Sequence, residues 1–285
     1  MSVTSNLENP KLSTGFHARK QSGRSAISSG ITLPKLGWLQ VGQIALLAAI
    51  LGSIQYLVDS GSIKQLYLAS PTQVAAAFPR LLNEGDLLYH LRVTLSEAAL
   101  GFALAFVFGV GTGVYMGLFE NANRFLNPFL VAAMAVPKVT IIPMLTLYLG
   151  IGFSHKVFIV FLFGYFLFVF NTIAGIRQVD DRHLKVARSL GATKLQLVFK
   201  IILPSAVPSI MAAVRIEAAM CLVAALFAEI VASKAGLGNM LNRAVGVYDT
   251  ASVFALVVSI TAVALITVFF VNLLERRVFL RWKYA

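Results

Sequence analysis

Between Lys185 and Pro204 the sequence reads KVARSLGATKLQLVFKIILP, a basic, helix-prone stretch punctuated by Gly191 and closed by Leu203-Pro204. Long apolar segments lie on both sides of it. The chain is too hydrophobic to be water-soluble, with 58% hydrophobic and 13% charged residues and a mean hydropathy of +0.80. A polar insert in such a chain must therefore face water at a membrane surface. A structured cationic loop on a membrane protein is built to be gripped from outside the bilayer.

Working outward from the loop, the apolar runs fit six spans of the roughly 20 residues that a hydrocarbon core about 30 Å thick demands. They are expected near residues 37–58, 95–118, 126–149, 156–177, 206–232 and 252–274. Pro137, Lys138 and Pro143 interrupt the third, and Arg215, Glu217 and Glu229 interrupt the fifth. The fold class is all-α and polytopic. Residues 1–36, polar and basic, are expected to be a disordered tail, and residues 37–285 one transmembrane domain with its core at 90–275. The tail is too long and polar for a signal-peptide n-region, so the first span is expected to be permanent. Between Asp59 and Thr94, Ser70-Pro71 marks a helix start and TQVAAAFPRLL a short helix on the bilayer surface.

Orientation follows from the basic residues, because cationic flanks stay on the cytoplasmic side. With the N-terminus inside, Lys11, Arg19, Lys20, Arg24, Lys35, Arg124, Arg177, Arg182, Lys185, Arg188, Lys194, Lys200, Arg276, Arg277, Arg281 and Lys283 fall on the cytoplasmic pieces. Only Lys64, Arg80, Arg92, Lys156, Lys234 and Arg243 fall outside. Both termini and the 185–204 loop are thus expected in the cytoplasm. The net charge of +12 resides at helix ends without interleaved aromatics, which excludes a nucleic-acid patch. A single cysteine, Cys221, and four scattered histidines leave no metal-ligand spacing.

The loop pattern is K-V-A (Lys185, Val186, Ala187), three residues, Gly191 and then Ala192 opening a run of nine residues, Ile201, one residue, and Leu203-Pro204. It resembles the EAA loop of ABC importer permeases, with Lys185 and Val186 where that family usually has Glu and Ala. Gly191 would let two short helices turn sharply, and Pro204 would end the second before the next span begins. The resemblance extends from about Pro71 to the C-terminus through AVPKVTIIPMLTLYLGIG (135–152), NTIAGIRQVD (171–180), RSLGATKLQLVFKIILPSAVPSI (188–210), FAEIVAS (227–233), AGLG (235–238) and LLERRVFLRW (273–282). These phrases are similar to the sulfonate, taurine, nitrate and bicarbonate branch. The resemblance implies the type I importer fold and a homodimer with a second permease copy in membrane lipid. It also implies a cytoplasmic ABC ATPase dimer docked on the loops, an extracytoplasmic solute-binding protein, and no cofactor. Without the resemblance, an amphipathic connector held on headgroups by Lys194 and Lys200 is the favoured reading.

Ionisable residues inside a span are expensive and by default functional candidates. Lys138 lies about 18 Å along the third span, near the midplane, after Pro137, which is expected to leave the carbonyl of Ala133 free. Two readings stand: Lys138, with Pro137 and Pro143, lines a pathway, or it pairs with a carboxylate of the fifth span and fixes packing. Arg215 and Glu229 share one face of that span about 21 Å apart, with Glu217 pointing elsewhere. Arg215 is expected to snorkel, Glu229 to be an interfacial or a gating residue, and Glu97 to reach the outer headgroups. Phe158, Phe161, Tyr165 and Phe168 recur at helical spacing as a packing stripe. Gly101, Gly109, Gly111, Gly113 and Gly117 allow close helix approach.

No phosphate-binding Gly-Lys-Ser/Thr loop and no nucleophile geometry is present, so ATP would be hydrolysed by another chain. The function expected is a permease that translocates a small solute, an anion such as a sulfonate, taurine or nitrate, across the inner membrane. An ion-coupled carrier or channel, and a membrane anchor that assembles partners, are the rival classes.

Overall fold

A computed structural model describes residues 37–279, with side chains to Glu275. The tail expected at residues 1–36 lies outside them. The described residues form α1 (Trp38–Asp59), α2 (Pro71–Asn83), α3 (Leu87–Leu118), α4 (Glu120–Ala135), α5 (Lys138–Leu149), α6 (Phe153–Arg177), α7 (Asp181–Ser189), α8 (Lys194–Leu197), α9 (Leu203–Val231), α10 (Leu237–Gly246) and α11 (Thr250–Phe279), with no strand among them. The chain separates into a unit ending at Ala48, whose described part is the first half of α1, and a unit running from Ala49.

Small residues set the geometry of the second unit. Gly101, Ala105, Gly109, Gly113 and Gly117 recur every fourth residue on one face of α3. They meet Val160, Gly164, Phe168, Thr172 and Ile176 of α6 in the same order and at the same interval. A Cβ at Gly109 would lie 2.7 Å from that of Phe168, and one at Gly113 would lie 2.6 Å from that of Thr172. The backbones therefore approach as closely as a small-residue seam allows, the usual basis of helix association in lipid. Gly111, expected in the same role, faces open space.

The constant interval means that α3 and α6 run parallel. The chain leaves α3 at one end of the bundle and enters α6 at the other, so α4 and α5 together must cross the same thickness. They do so with a 90° bend between them. The third span, expected over 126–149 as a helix broken at Pro137, is thus a broken crossing that begins earlier, at Glu120. Val136 supplies the break: it precedes Pro137, which pushes it out of the helical region to φ −65° and ψ 128°.

α9 runs antiparallel to this pair, with Ala206 and Ser209 against Gly175, and Glu217 against Gly164. Phe168, fully buried, takes the edges of Phe102 and Phe106 at 5.6 and 5.4 Å. α2 starts where expected, on a capping box between Ser70 and Gln73. Its apolar face, however, buries Ala77 and Leu81 on Leu237, Met240 and Leu256 rather than on lipid. Arg80 and Asp249 clamp α2 to the start of α11 at 2.6 Å, and Arg80 also donates to Ser252 at 2.8 Å.

Candidate functional site

The loop after α6 is a pair of short helices turned at Gly191. α7 is capped by Asp180, which accepts the Arg182 N–H at 2.8 Å. It ends in a Schellman motif: the Ala192 N–H donates to the Ala187 carbonyl, and the Gly191 N–H donates to that of Arg188, both at 3.0 Å. Gly191 holds φ at +82° with no atom within 4 Å of where a Cβ would stand. Backbone conformation, and not crowding, is what calls for glycine. Thr193 and Gln196 form the capping box that starts α8.

Pro204 does not stop the chain as its sequence position suggests. It lacks the N–H that would bond the Lys200 carbonyl, and the backbone absorbs the loss in a π-turn over Val198–Ile202, where the Leu203 N–H reaches back to Val198. From Lys194 to Val231 the helix is continuous for 38 residues. Ile201, Leu203 and Pro204 are half-buried in this run. Lys185 and Val186 face solvent, while Ala187 and Ala192 are half-buried. Val186, Leu190, Leu195 and Phe199 are 60, 83, 70 and 65% exposed. Four large apolar side chains around a rigid, basic turn make a surface suited to a protein partner.

Lys138 opens α5 at the break. Its ammonium donates to the Met134 carbonyl at 3.5 Å and lies 5.4 and 5.8 Å from the ring centres of Phe166 and Phe163. It makes no ion pair among the described residues. Glu217, the α9 carboxylate whose field Lys138 reaches, is 2% exposed with its Oε1 unpartnered. The Ala133 carbonyl is not free, because the Val136 N–H donates to it at 3.4 Å in the turn. Pro143 faces outward from α5, beside the buried Ile142.

The other ionisable residues lie elsewhere. Arg215 does not merely snorkel: it forms a bidentate pair with Glu275 of α11 at 2.5 and 2.6 Å. Glu97 does not reach headgroups but is fully buried in an ion pair with Lys156, which is itself sealed within α6 rather than flanking it outside. Glu229 is 1% exposed at the far end of the bundle from the loop, where it accepts from Thr94 and from the Gly238 N–H. Its carboxyl group is buried inside the bundle, and twelve helical positions, about 18 Å, separate it along α9 from Glu217. FAEIVAS and AGLG, singled out in the sequence for the family resemblance, supply two sides of the contact with Gly238. Thr94 and His90, which complete it, carried no sequence signal.

Comparison with known proteins agrees with this geometry. Residues 105–280 match the family described as binding-protein-dependent transport system inner membrane component. A protein of Bacillus subtilis (strain 168), provisionally named as an aliphatic sulfonates transport permease, is 30% identical over 87% of this chain and 89% of its own length. A riboflavin transport system permease of Chloroflexus aurantiacus is 30% identical over 88% of this chain and 94% of its own. The crystal structure of a bacterial ABC transporter involved in importing the acidic polysaccharide alginate superposes with a TM-score of 0.60 at 17% identity, covering 85% of this chain and 99% of that one. The helical fold is that of type I importer permeases, and this multi-pass membrane protein belongs to the binding-protein-dependent transport system inner membrane component family, as the permease subunit of an ABC importer.

Proposed function

We propose that two copies of this chain form a path for a small organic or inorganic anion, an aliphatic sulfonate, taurine or nitrate, that passes Lys138 at the broken third span. A solute-binding protein delivers the solute outside, and an ATPase dimer docks on the exposed apolar residues around Gly191. Both termini and the 185–204 loop are cytoplasmic in this reading, as the distribution of basic residues favours.

One observation carries the reading: Lys138 stands at the break on the faces of Phe163 and Phe166 with no carboxylate paired to it among the described residues. A cation so placed is stabilised by aromatic faces without being neutralised by them. Its field remains available to an anion, whose passage through a low-dielectric path it makes less costly. The sulfonate relative supports an anionic cargo and the riboflavin relative does not, so substrate identity rests on Lys138.

The test is uptake by the native complex and by Lys138→Met, measured against a panel of an alkanesulfonate, taurine, nitrate, bicarbonate and riboflavin. The expected result is anion uptake by the native protein that falls by about tenfold or more in the variant, a loss near 1.4 kcal/mol. Unchanged anion uptake in Lys138→Met, or native uptake of riboflavin alone, would remove Lys138 from the path. Co-purification of a soluble ATPase separates an importer from an ion-coupled carrier.

A further inference from the structure

The FAEIVAS and AGLG phrases meet in a sealed polar knot that the transport reading does not use. It contains Glu97 of α3, Lys156 of α6 and Glu229 of α9, which are 0, 4 and 1% exposed. Its architecture is a helix cap assembled from other helices. The first N–H groups of α10 are taken by side chains of α3 and α9: Gly236 donates to His90 Nδ1 at 2.8 Å, Leu237 to Thr94 Oγ1 at 2.9 Å, and Gly238 to Glu229 Oε2 at 2.6 Å.

Counting hydrogens leaves the knot one short. The Lys156 ammonium has three: it pairs with Glu97 Oε1, and it donates to Ser233 Oγ at 3.0 Å and to the Ala235 carbonyl at 3.5 Å. None is left for Glu229. The Thr94 hydroxyl has one hydrogen but lies within reach of two acceptors, Glu229 Oε1 at 2.7 Å and the His90 carbonyl at 3.1 Å. Glu97 Oε2 is buried with no donor among the described residues, and Glu97 stands one helical turn from Thr94, the residue that donates to Glu229, so both carboxyl groups enter the same sealed pocket. A buried acceptor without a partner is costly, and an ionised carboxylate facing another has nothing to offer it.

Charge is unbalanced in the same way. His90 Nδ1 accepts from Gly236 and His155 Nδ1 accepts the Gly152 N–H at 3.1 Å, so neither of those nitrogens bears a proton and both rings are neutral. Asp86 and Arg243 reach only His90, at the rim. α11 presents Ala255 and Leu256 to the cluster that contains α10. Two carboxylates therefore face one ammonium inside a bundle where an uncompensated charge is expensive.

We propose that Glu97 and Glu229 share one bound proton, so that the knot fixing α10 to α3, α6 and α9 is electrically neutral and fully hydrogen-bonded. The proton supplies the missing donor: carried on either carboxyl, it bridges Glu97 Oε2 and Glu229, while the Thr94 hydroxyl keeps donating to Glu229 Oε1. Removing either acid leaves the other matched one-to-one by Lys156, so the proton is a property of the pair.

Infrared spectroscopy of the purified permease complex in lipid nanodiscs at neutral pH tests this, through the carbonyl stretch of a protonated, solvent-shielded carboxyl group. The expected result is such a band in the native complex that is lost in Glu97→Gln and equally in Glu229→Gln, with Glu97→Gln retaining native uptake. Glu217, the other carboxyl buried among the described residues, is the control, and Glu217→Gln should leave the band of the pair in place. No protonated-carboxyl band in the native complex would overturn the proposal even if the variants failed to assemble. A band removed only by Glu217→Gln, or one that survives both Glu97→Gln and Glu229→Gln, would also overturn it.

Discussion

Replacing Gly191 tests whether the loop acts through its shape. The residue sits at φ +82° as the left-handed closing residue of a Schellman motif, with no neighbour within 4 Å of a Cβ. A larger side chain is therefore not excluded by space, and the cost is confined to the backbone. An L-residue in this conformation costs about 1–2 kcal/mol, with asparagine better tolerated and a β-branched residue worse. That shift multiplies competing loop conformers by about five- to thirtyfold, and they would turn Leu190 and Leu195 away from their present positions. Gly191→Asn should dock the ATPase almost as the native chain does. Gly191→Val should insert and dimerise normally but lose ATPase retention on an affinity column and solute-stimulated ATP hydrolysis in proteoliposomes. Equal coupling in the two variants would refute the argument, because only the backbone distinguishes them. A fully coupled Gly191→Val complex would remove the loop from the mechanism.

Other outcomes follow from the packing and the charges. Gly109→Leu should destabilise the bundle by about 1–3 kcal/mol through overpacking against Phe168. Gly111→Leu, two residues away and facing open space, should be near neutral; thermal melting in detergent separates the two. Asp249 is pushed up by partial burial, but the Ser252 hydroxyl and N–H and the Arg80 guanidinium outweigh this and hold it below the usual aspartate value. Its contribution is present above the unfolded value and lost as pH falls through the folded one. Asp249→Asn should flatten that acid loss while costing no more than about 1 kcal/mol at neutral pH, since Arg80 is half exposed. In a Cys221→Ser background, a cysteine at Ser62 should react with an impermeant reagent from outside and one at Ser189 only from inside. Labelling of Ser189→Cys from outside would invert the topology.

The spans were legible because a run of about 20 apolar residues has few other uses. Their ends were not. α3 begins at Leu87 rather than near 95 because Arg92 and Glu97 lower the apparent hydropathy of its first turns. Glu97 is tolerated there only because Lys156 meets it from another helix, a pairing that no spacing within one helix can reveal. α10 went unread for a related reason. A helix start is recognised from its own cap residue, whereas α10 begins at Gly236 with φ +114° and borrows its caps from His90, Thr94 and Glu229. Pro204 was misread because a proline that ends a helix and one that widens it into a π-turn look alike in sequence.

Continuity between the loop and α9 changes what the loop can transmit. Had Pro204 ended a helix, motion at Gly191 would reach the membrane through a flexible joint and dissipate there. Instead Lys194–Val231 is one helical run, about 57 Å long at the usual rise per residue. One of its ends carries the exposed Leu195 and Phe199 and the other carries Glu229. The Glu229 end is fixed by hydrogen bonds to α3 and α10, while the π-turn at Val198–Ile202 is the one irregular place along the run. A displacement of a docked ATPase would therefore tilt α9 about its fixed end, and the largest movement would fall nearest the loop. Along the way lies Glu217, facing Gly164 with an unpartnered oxygen and within the field of Lys138. Under the proposed coupling role, tilting α9 changes the separation of Glu217 and Lys138, and with it the field an anion meets at the broken span, without any movement of the buried knot.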